Sequence, residues 1–213
     1  VDWDTAWSIT TASISYTNHT LLPEALETWG VELFEQLLPR QLEIIYEINT
    51  RFLRMARIRY PGDPQILQRI SLIEEGTQRR VRMAHLAVVG SHHVNGVAEL
   101  HSTLLKQHLF ADLARIWPER FTNVTNGVTP RRWLKMCNQP LSGLITDTIG
   151  QGWESNLDRL KELEPAIETA SFRADFGNAK RANKVALAGW IKTHCGITVS
   201  PDALFDVQIK RIH

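Results

Sequence analysis

Four short stretches of the 213-residue chain carry residue types that could hold a ligand, an anionic one in particular. His92 and His93 stand side by side in GSHHVNG, residues 90–96. Lys210, Arg211 and His213 fall in LFDVQIKRIH at the far end of the chain. Asn126 and Trp133 belong to TNGVTPRRW, residues 125–133. His19 follows Asn18 in TNHT, residues 17–20. Imidazole and carboxamide groups pair with hydroxyls as donor or acceptor. A guanidinium fork matches two phosphate oxygens, and an ammonium acts as a point charge. Plainer readings stay open. His19 also suits a loop histidine bonded to backbone, and Arg131 and Arg132 suit a solvated surface. Two arginines in the first turn of a helix nevertheless face its positive end, which favours an anion nearby.

These residues need elements to place them. Val81–Val89 alternates and then becomes continuously apolar, which predicts a buried strand; Gly90 and Ser91 interrupt it. From about Asn95 the residues Val97, Leu100, Leu104 and Leu105 recur at helical spacing. His92 and His93 are thereby expected at the carboxyl end of a parallel strand, where α/β proteins bind ligands. Leu204–His213 predicts a second strand that delivers Lys210 and Arg211. Thr20 and Pro23 predict a helix start with Leu22, Leu26 and Trp29 on one face, placing His19 just before it. Thr129 and Pro130 predict another.

Further helices are expected from Pro39, with Leu42, Ile45, Phe52 and Ala56 inward, and over Ile66–Leu72, Phe110–Trp117 and most of Leu141–Leu163. Asp4–Tyr16 has only a weak helical pattern. A long helix from Phe172 to Gly196 sets Phe176, Ala179, Ala182, Ala186 and Trp190 on one stripe, expected to be core. Arg51, Arg54 and Arg57 form a solvated face or an anion patch. The fold class is therefore α/β and helix-rich.

Lys plus Arg number 24 and Asp plus Glu 23, a net charge of +1, so no basic excess points to nucleic acid or to an anionic membrane. No apolar run approaches the roughly 20 residues that span a bilayer. Cys137 and Cys195 are isolated, which predicts free thiols in a reducing, cytoplasmic setting. No metal-binding spacing occurs, and no metal is expected. The chain begins at Val1 and runs to His213 inside an expected strand, as an excised piece of a longer protein would.

YTNHTLLPEALE, LLPRQLEIIYEIN, MAHLAVVGSHHVNGVAELHS, TNGVTPRRWL and LFDVQIKRIH, in that order, resemble the α-glucan phosphorylases, the glycogen, maltodextrin and starch phosphorylase family, over essentially the whole chain. The resemblance implies a fragment of a two-domain GT-B-type glycosyltransferase with Rossmann-like halves. Residues 1–122 would close the amino-terminal domain and 123–213 would open the cofactor-side domain. The implied reaction removes the non-reducing-end α-1,4-glucosyl unit with inorganic phosphate, giving glucose 1-phosphate with retention, in a homodimer that uses pyridoxal phosphate.

By the same resemblance His92 would contact the glucosyl unit, with Asn126 beside it and His19 lining the pocket. Trp133 and Lys210 would surround the cofactor phosphate, and Arg211 would grip the substrate phosphate. His93 departs from the family pattern and would narrow the pocket. The lysine that forms the Schiff base is not in this chain, so the isolated segment is expected to be inactive. A catalytically dead glucan-binding module and a sugar-nucleotide glycosyltransferase are the competing classes.

Overall fold

A computed structural model describes residues 1–209, so Lys210, Arg211 and His213 lie outside the described residues. It is a helix-rich α/β structure that divides into two compact units, Val1–Asn126 and Gly127 onward.

The first unit contains helices α1 (Trp3–Ser13), α2 (Val31–Leu37), α3 (Pro39–Arg59), α4 (Ile66–Ile70), α5 (Met83–Val89), α6 (Glu99–Leu104) and α7 (Ala111–Ile116). Its strands are β1 (Ser15–Thr17), β2 (Thr28–Gly30), β3 (Ile73–Glu74), β4 (Arg80–Arg82), β5 (His93–Gly96) and β6 (Phe121–Asn123). They form a parallel sheet in the order β1-β5-β6 and an antiparallel sheet in the order β2-β4-β3. Asp2 starts α1, its carboxylate accepting the Thr5 N–H at 3.0 Å. Pro39 opens α3, whose Leu42, Ile45, Phe52 and Ala56 are all buried, as their spacing predicts. The arginine face of α3 is solvated, with Arg51 paired to Glu47 and Asp4. Around α3 the core takes in Ile66 and Ile70 of α4, Val81 of β4 and Val94 of β5, all essentially sealed from water.

Two expectations are overturned here. Val81–Val89 is a strand only as far as Arg82; Met83–Val89 is a helix with Ala84 and Val88 inward, closed by the Gly90 N–H donating to the Leu86 carbonyl at 2.9 Å. A short apolar run fits a buried helix as well as a buried strand, and Met, Leu and Ala favour the helix. The parallel strand is His93–Gly96 itself, so His92 and His93 sit at its amino end. Likewise Pro23–Ala25 makes only a 3₁₀ turn, and Thr28–Gly30 pairs with β4. Short helices are costly to nucleate, and Thr28 and Trp29 gain a strand partner instead. Of the expected α6 face, Leu105 is buried but Leu100 is 71% exposed.

The second unit has a π-helical segment, Arg131–Met136, then α8 (Gln139–Ile149), a 3₁₀ segment Leu157–Leu163, α9 (Glu164–Ile167) and α10 (Ala170–Cys195). Gly150 and Gly152 adopt φ of +80° and +94° and end α8, and Gly196 at φ +71° ends α10, as glycine permits. Thr129 starts the Arg131 segment through its carbonyl, which accepts the Trp133 N–H at 2.9 Å; no side-chain cap forms. The α10 stripe is not core in this chain. Ala179 is buried, but Phe176 and Trp190 are 40% and 55% exposed. Residues 204–209 form no strand, because no described strand runs beside them to satisfy their backbone. Cys137 and Cys195 are free and exposed.

Candidate functional site

The three strands of the parallel sheet end together. Thr17 pairs with Asn95, and Gly96 with Asn123. The ladder then continues into the loops. The Asn18 N–H donates to the Asn95 carbonyl, Val124 N–H to Gly96 and Asn126 N–H to Val97, each at 3.0 Å. These bonds fix His19, one residue past Asn18, on one side of β5 and Asn126 on the other, both exposed. Adjacent strands lie about 4.8 Å apart, so two spacings separate the flanking strands by roughly 10 Å.

A polar network lies beneath this edge. Asn18 is 1% exposed, and its Oδ1 accepts from the Thr20 N–H at 3.0 Å and from His101 Nε2 at 3.1 Å. Its amide nitrogen donates to the Tyr16 hydroxyl at 3.2 Å, and burial pushes the Tyr16 phenol pKa up, so it stays neutral. Thr17 Oγ1 donates to Asn95 Oδ1 at 2.7 Å, and Ser102 Oγ donates to Asn123 Oδ1 at the same distance. Asn123 in turn donates to Thr125 Oγ1 at 3.1 Å. None of Asn18, Asn95, His101 or Ser102 was expected from the sequence. The one available signal was the Asn18-His19-Thr20 spacing, which suits a side chain closing a turn on the amide two residues on.

His92 lies elsewhere. It precedes the first residue of β5, and its N–H donates to the Ile14 carbonyl at 3.0 Å. Its Nδ1 is 2.7 Å from the Ile14 carbonyl and 3.1 Å from that of Thr11. Carbonyls only accept, so Nδ1 carries a proton and the ring caps the carboxyl end of α1. Four residues of strand, about 13 Å at 3.3 Å per residue, separate His92 from the Gly96 edge. The structure brings His19 and Asn126 together across β5 and leaves His92 and His93 at the opposite end. Trp133 belongs to the second unit, where its indole is 65% exposed next to the exposed Arg131 and Arg132. Lys210 and Arg211 lie outside the described residues.

Two neighbouring hollows of the first unit share His85. One, of about 380 Å³, is bounded by Leu21, Leu26, Glu74, Arg82, His85 and His108; the other, of about 370 Å³, adds Arg69 and Asp112. Burial, with the charge of Arg82 adding to it, pushes the His85 pKa down to about 4, so the ring is neutral near pH 7. Among the described residues no cluster of three or more His, Cys, Asp and Glu could hold a metal, and no helix is long and apolar enough to cross a membrane.

The chain is 55% identical to a glycogen phosphorylase of Synechocystis, 51% to one of Haemophilus influenzae and 48% to the muscle form of Oryctolagus cuniculus. Each match covers all of this chain and 25%, 26% and 25% of the respective relative. The chain thus spans about a quarter of the length of these curated relatives. The family model described as carbohydrate phosphorylase matches residues 1–213, end to end, and the chain belongs to that family.

Proposed function

We propose that this chain is the part of an α-glucan phosphorylase that holds the reacting glucosyl unit and begins the phosphate and cofactor site. The observation that carries the reading is the pinning of His19 and Asn126 on either side of β5 by the Asn18–Asn95 and Asn126–Val97 backbone bonds. The relatives named glycogen phosphorylase support the same chemistry.

In the complete enzyme, the C1–O4 bond of the terminal α-1,4-glucosyl residue breaks, a phosphate oxygen bonds to C1, and the phosphate proton passes to the released O4. Hydrogen bonds from His19 and Asn126 would fix the sugar while positive charge develops at C1, which removes much of the entropic barrier. Arg211 would bind the incoming phosphate as a bidentate fork, and Lys210 would act as a point charge. This assignment transfers the sugar contact from His92 to His19, and leaves His92 to hold α1 against β5.

Pyridoxal phosphate is the cofactor that the family membership implies, and Trp133, exposed beside Arg131 and Arg132, would stand with Lys210 around its phosphate. When bound, the group supplies a phosphate that acts as acid and base. The full-length protein is read as a cytoplasmic homodimer of the two-domain GT-B type, a reading supported by the family membership.

The experiment is phosphate-dependent release of glucose 1-phosphate by the full-length protein on glycogen and on maltoheptaose. Release on either supports the reading. Glucan binding without any phosphate-dependent product identifies an inactive glucan-binding module instead, and release of a nucleotide from a sugar nucleotide identifies the other glycosyltransferase class.

A further inference from the structure

Helix α6 starts just beyond the ligand edge of β5, and two consecutive residues on it reach in opposite directions. His101 Nε2 lies 3.1 Å from Asn18 Oδ1, in the loop that leads directly to His19. Ser102 Oγ lies 2.7 Å from Oδ1 of Asn123, the last residue of β6, from which the chain runs on to Asn126. Both contacts are partly buried: Asn18 is 1% and Ser102 5% exposed, whereas Asn123 faces solvent. Asn18 Oδ1 already accepts the Thr20 N–H, so it is an acceptor and His101 must donate through Nε2–H. Ser102 Oγ lies 2.7 Å from Asn123 Oδ1 and 3.0 Å from the Ala98 carbonyl, so its one proton is shared between two acceptors, and the Asn123 amide nitrogen donates to Thr125 Oγ1. Gly96 makes room for the arrangement, since it lets the α6 backbone approach the end of β5.

We infer that His101 and Ser102 are positioning residues that act as one two-armed brace, setting the distance between His19 and Asn126 and so the width of the sugar-binding edge. The inference deepens the phosphorylase reading and rests on it for the identity of the ligand. The geometry itself concerns only which loop each arm holds. A loop that bears a hydrogen-bonding group gains affinity when it is held in its bound position before the ligand arrives. One arm ends on the loop after β1 and the other on the last residue of β6, so loss of one arm frees one side of the edge and leaves the other in place.

The test uses the full-length protein with His101→Leu, His101→Gln and Ser102→Ala, and reads glucose affinity, kcat, melting temperature and amide hydrogen exchange. His101→Leu and Ser102→Ala are each expected to lower glucose affinity and kcat about tenfold, the size of one lost buried hydrogen bond. His101→Gln, whose amide can still donate to Asn18, is expected to stay within about threefold of wild type. Exchange is expected to rise at residues 17–22 in His101→Leu and at 123–127 in Ser102→Ala, each without the other. Folded variants that keep wild-type glucose affinity, equal loosening of both loops by either change, or no recovery in His101→Gln would each overturn the brace. If the wild-type protein releases no glucose 1-phosphate, the phosphorylase reading fails, and the loop-specific exchange pattern alone still decides the brace.

Discussion

A Cβ added to Gly96 would lie 2.8 Å from the Cα of Ser102, closer than real side-chain carbons approach a backbone. Gly96 is the last residue of β5, and Ser102 is buried on α6, so the missing methyl group is what lets helix and strand meet at the end of β5. Gly96→Ala must push α6 away from the sheet. Overpacking of this kind costs about 1–3 kcal/mol, and a lower denaturation midpoint with weaker glucose binding in the full-length protein is the expected outcome. Unchanged stability would mean that the helix slides without resistance.

His19 and His92 can be separated by measuring two quantities on each variant. His19→Ala is expected to lower glucose affinity by tenfold or more, about 1.4 kcal/mol, with little effect on melting temperature. His92→Ala removes the imidazole that donates to the Ile14 and Thr11 carbonyls, and is expected to cost about 1 kcal/mol of stability with glucose affinity nearly unchanged. A large loss of glucose affinity in His92→Ala with normal stability would return His92 to the sugar site.

His85 makes stability depend on pH. Its folded pKa of about 4 lies below the ordinary value of 6.5, because burial penalises the charged ring. The unfolded chain therefore binds the proton more readily. Stability from the neutral ring is fully present above pH 6.5, falls as pH drops from 6.5 towards 4, and is gone below that. At 1.36 kcal/mol per unit the loss is at most about 3 kcal/mol. Urea unfolding at pH 7 and pH 4.5 should show a smaller difference for His85→Gln than for wild type. Parallel pH profiles for the two proteins would refute the assignment.

Trp153 is fully buried in the second unit, and its indole N–H donates to Thr146 Oγ1 at 3.0 Å. Trp153→Ala is expected to cost about 3–5 kcal/mol, mostly through the cavity left behind. Trp153→Phe keeps much of the volume but strands the Thr146 hydroxyl, for an expected cost of about 1–2 kcal/mol. Hydrogen exchange over Gln139–Ile149 should rise in the same order. Protection that stays at wild-type level in Trp153→Ala would show that the indole does not support α8.

The family was legible in the sequence because its motifs are long, ordered strings of residues, and their identities do not depend on how the chain folds. The helix from Pro39 and the helix end at Gly196 were legible too. Each follows from local effects: proline geometry, the positive φ that glycine tolerates, and the 3.6-residue period. What the sequence left undecided was direction. Val81–Val89 is apolar enough for a buried strand or a buried helix, and only the burial of Ala84, Val88 and Val89 in the core and the pairing of β4 with β2 and β3 selected a helix. That choice moved the parallel strand to His93–Gly96 and reversed the meaning of the paired histidines, which stand at its amino end. Hydrogen bonds between residues far apart in the chain, Asn18 with Asn95, His101 with Asn18 and Ser102 with Asn123, carry no sequence period. The tertiary structure alone could place His19 opposite Asn126 and bring α6 beneath them.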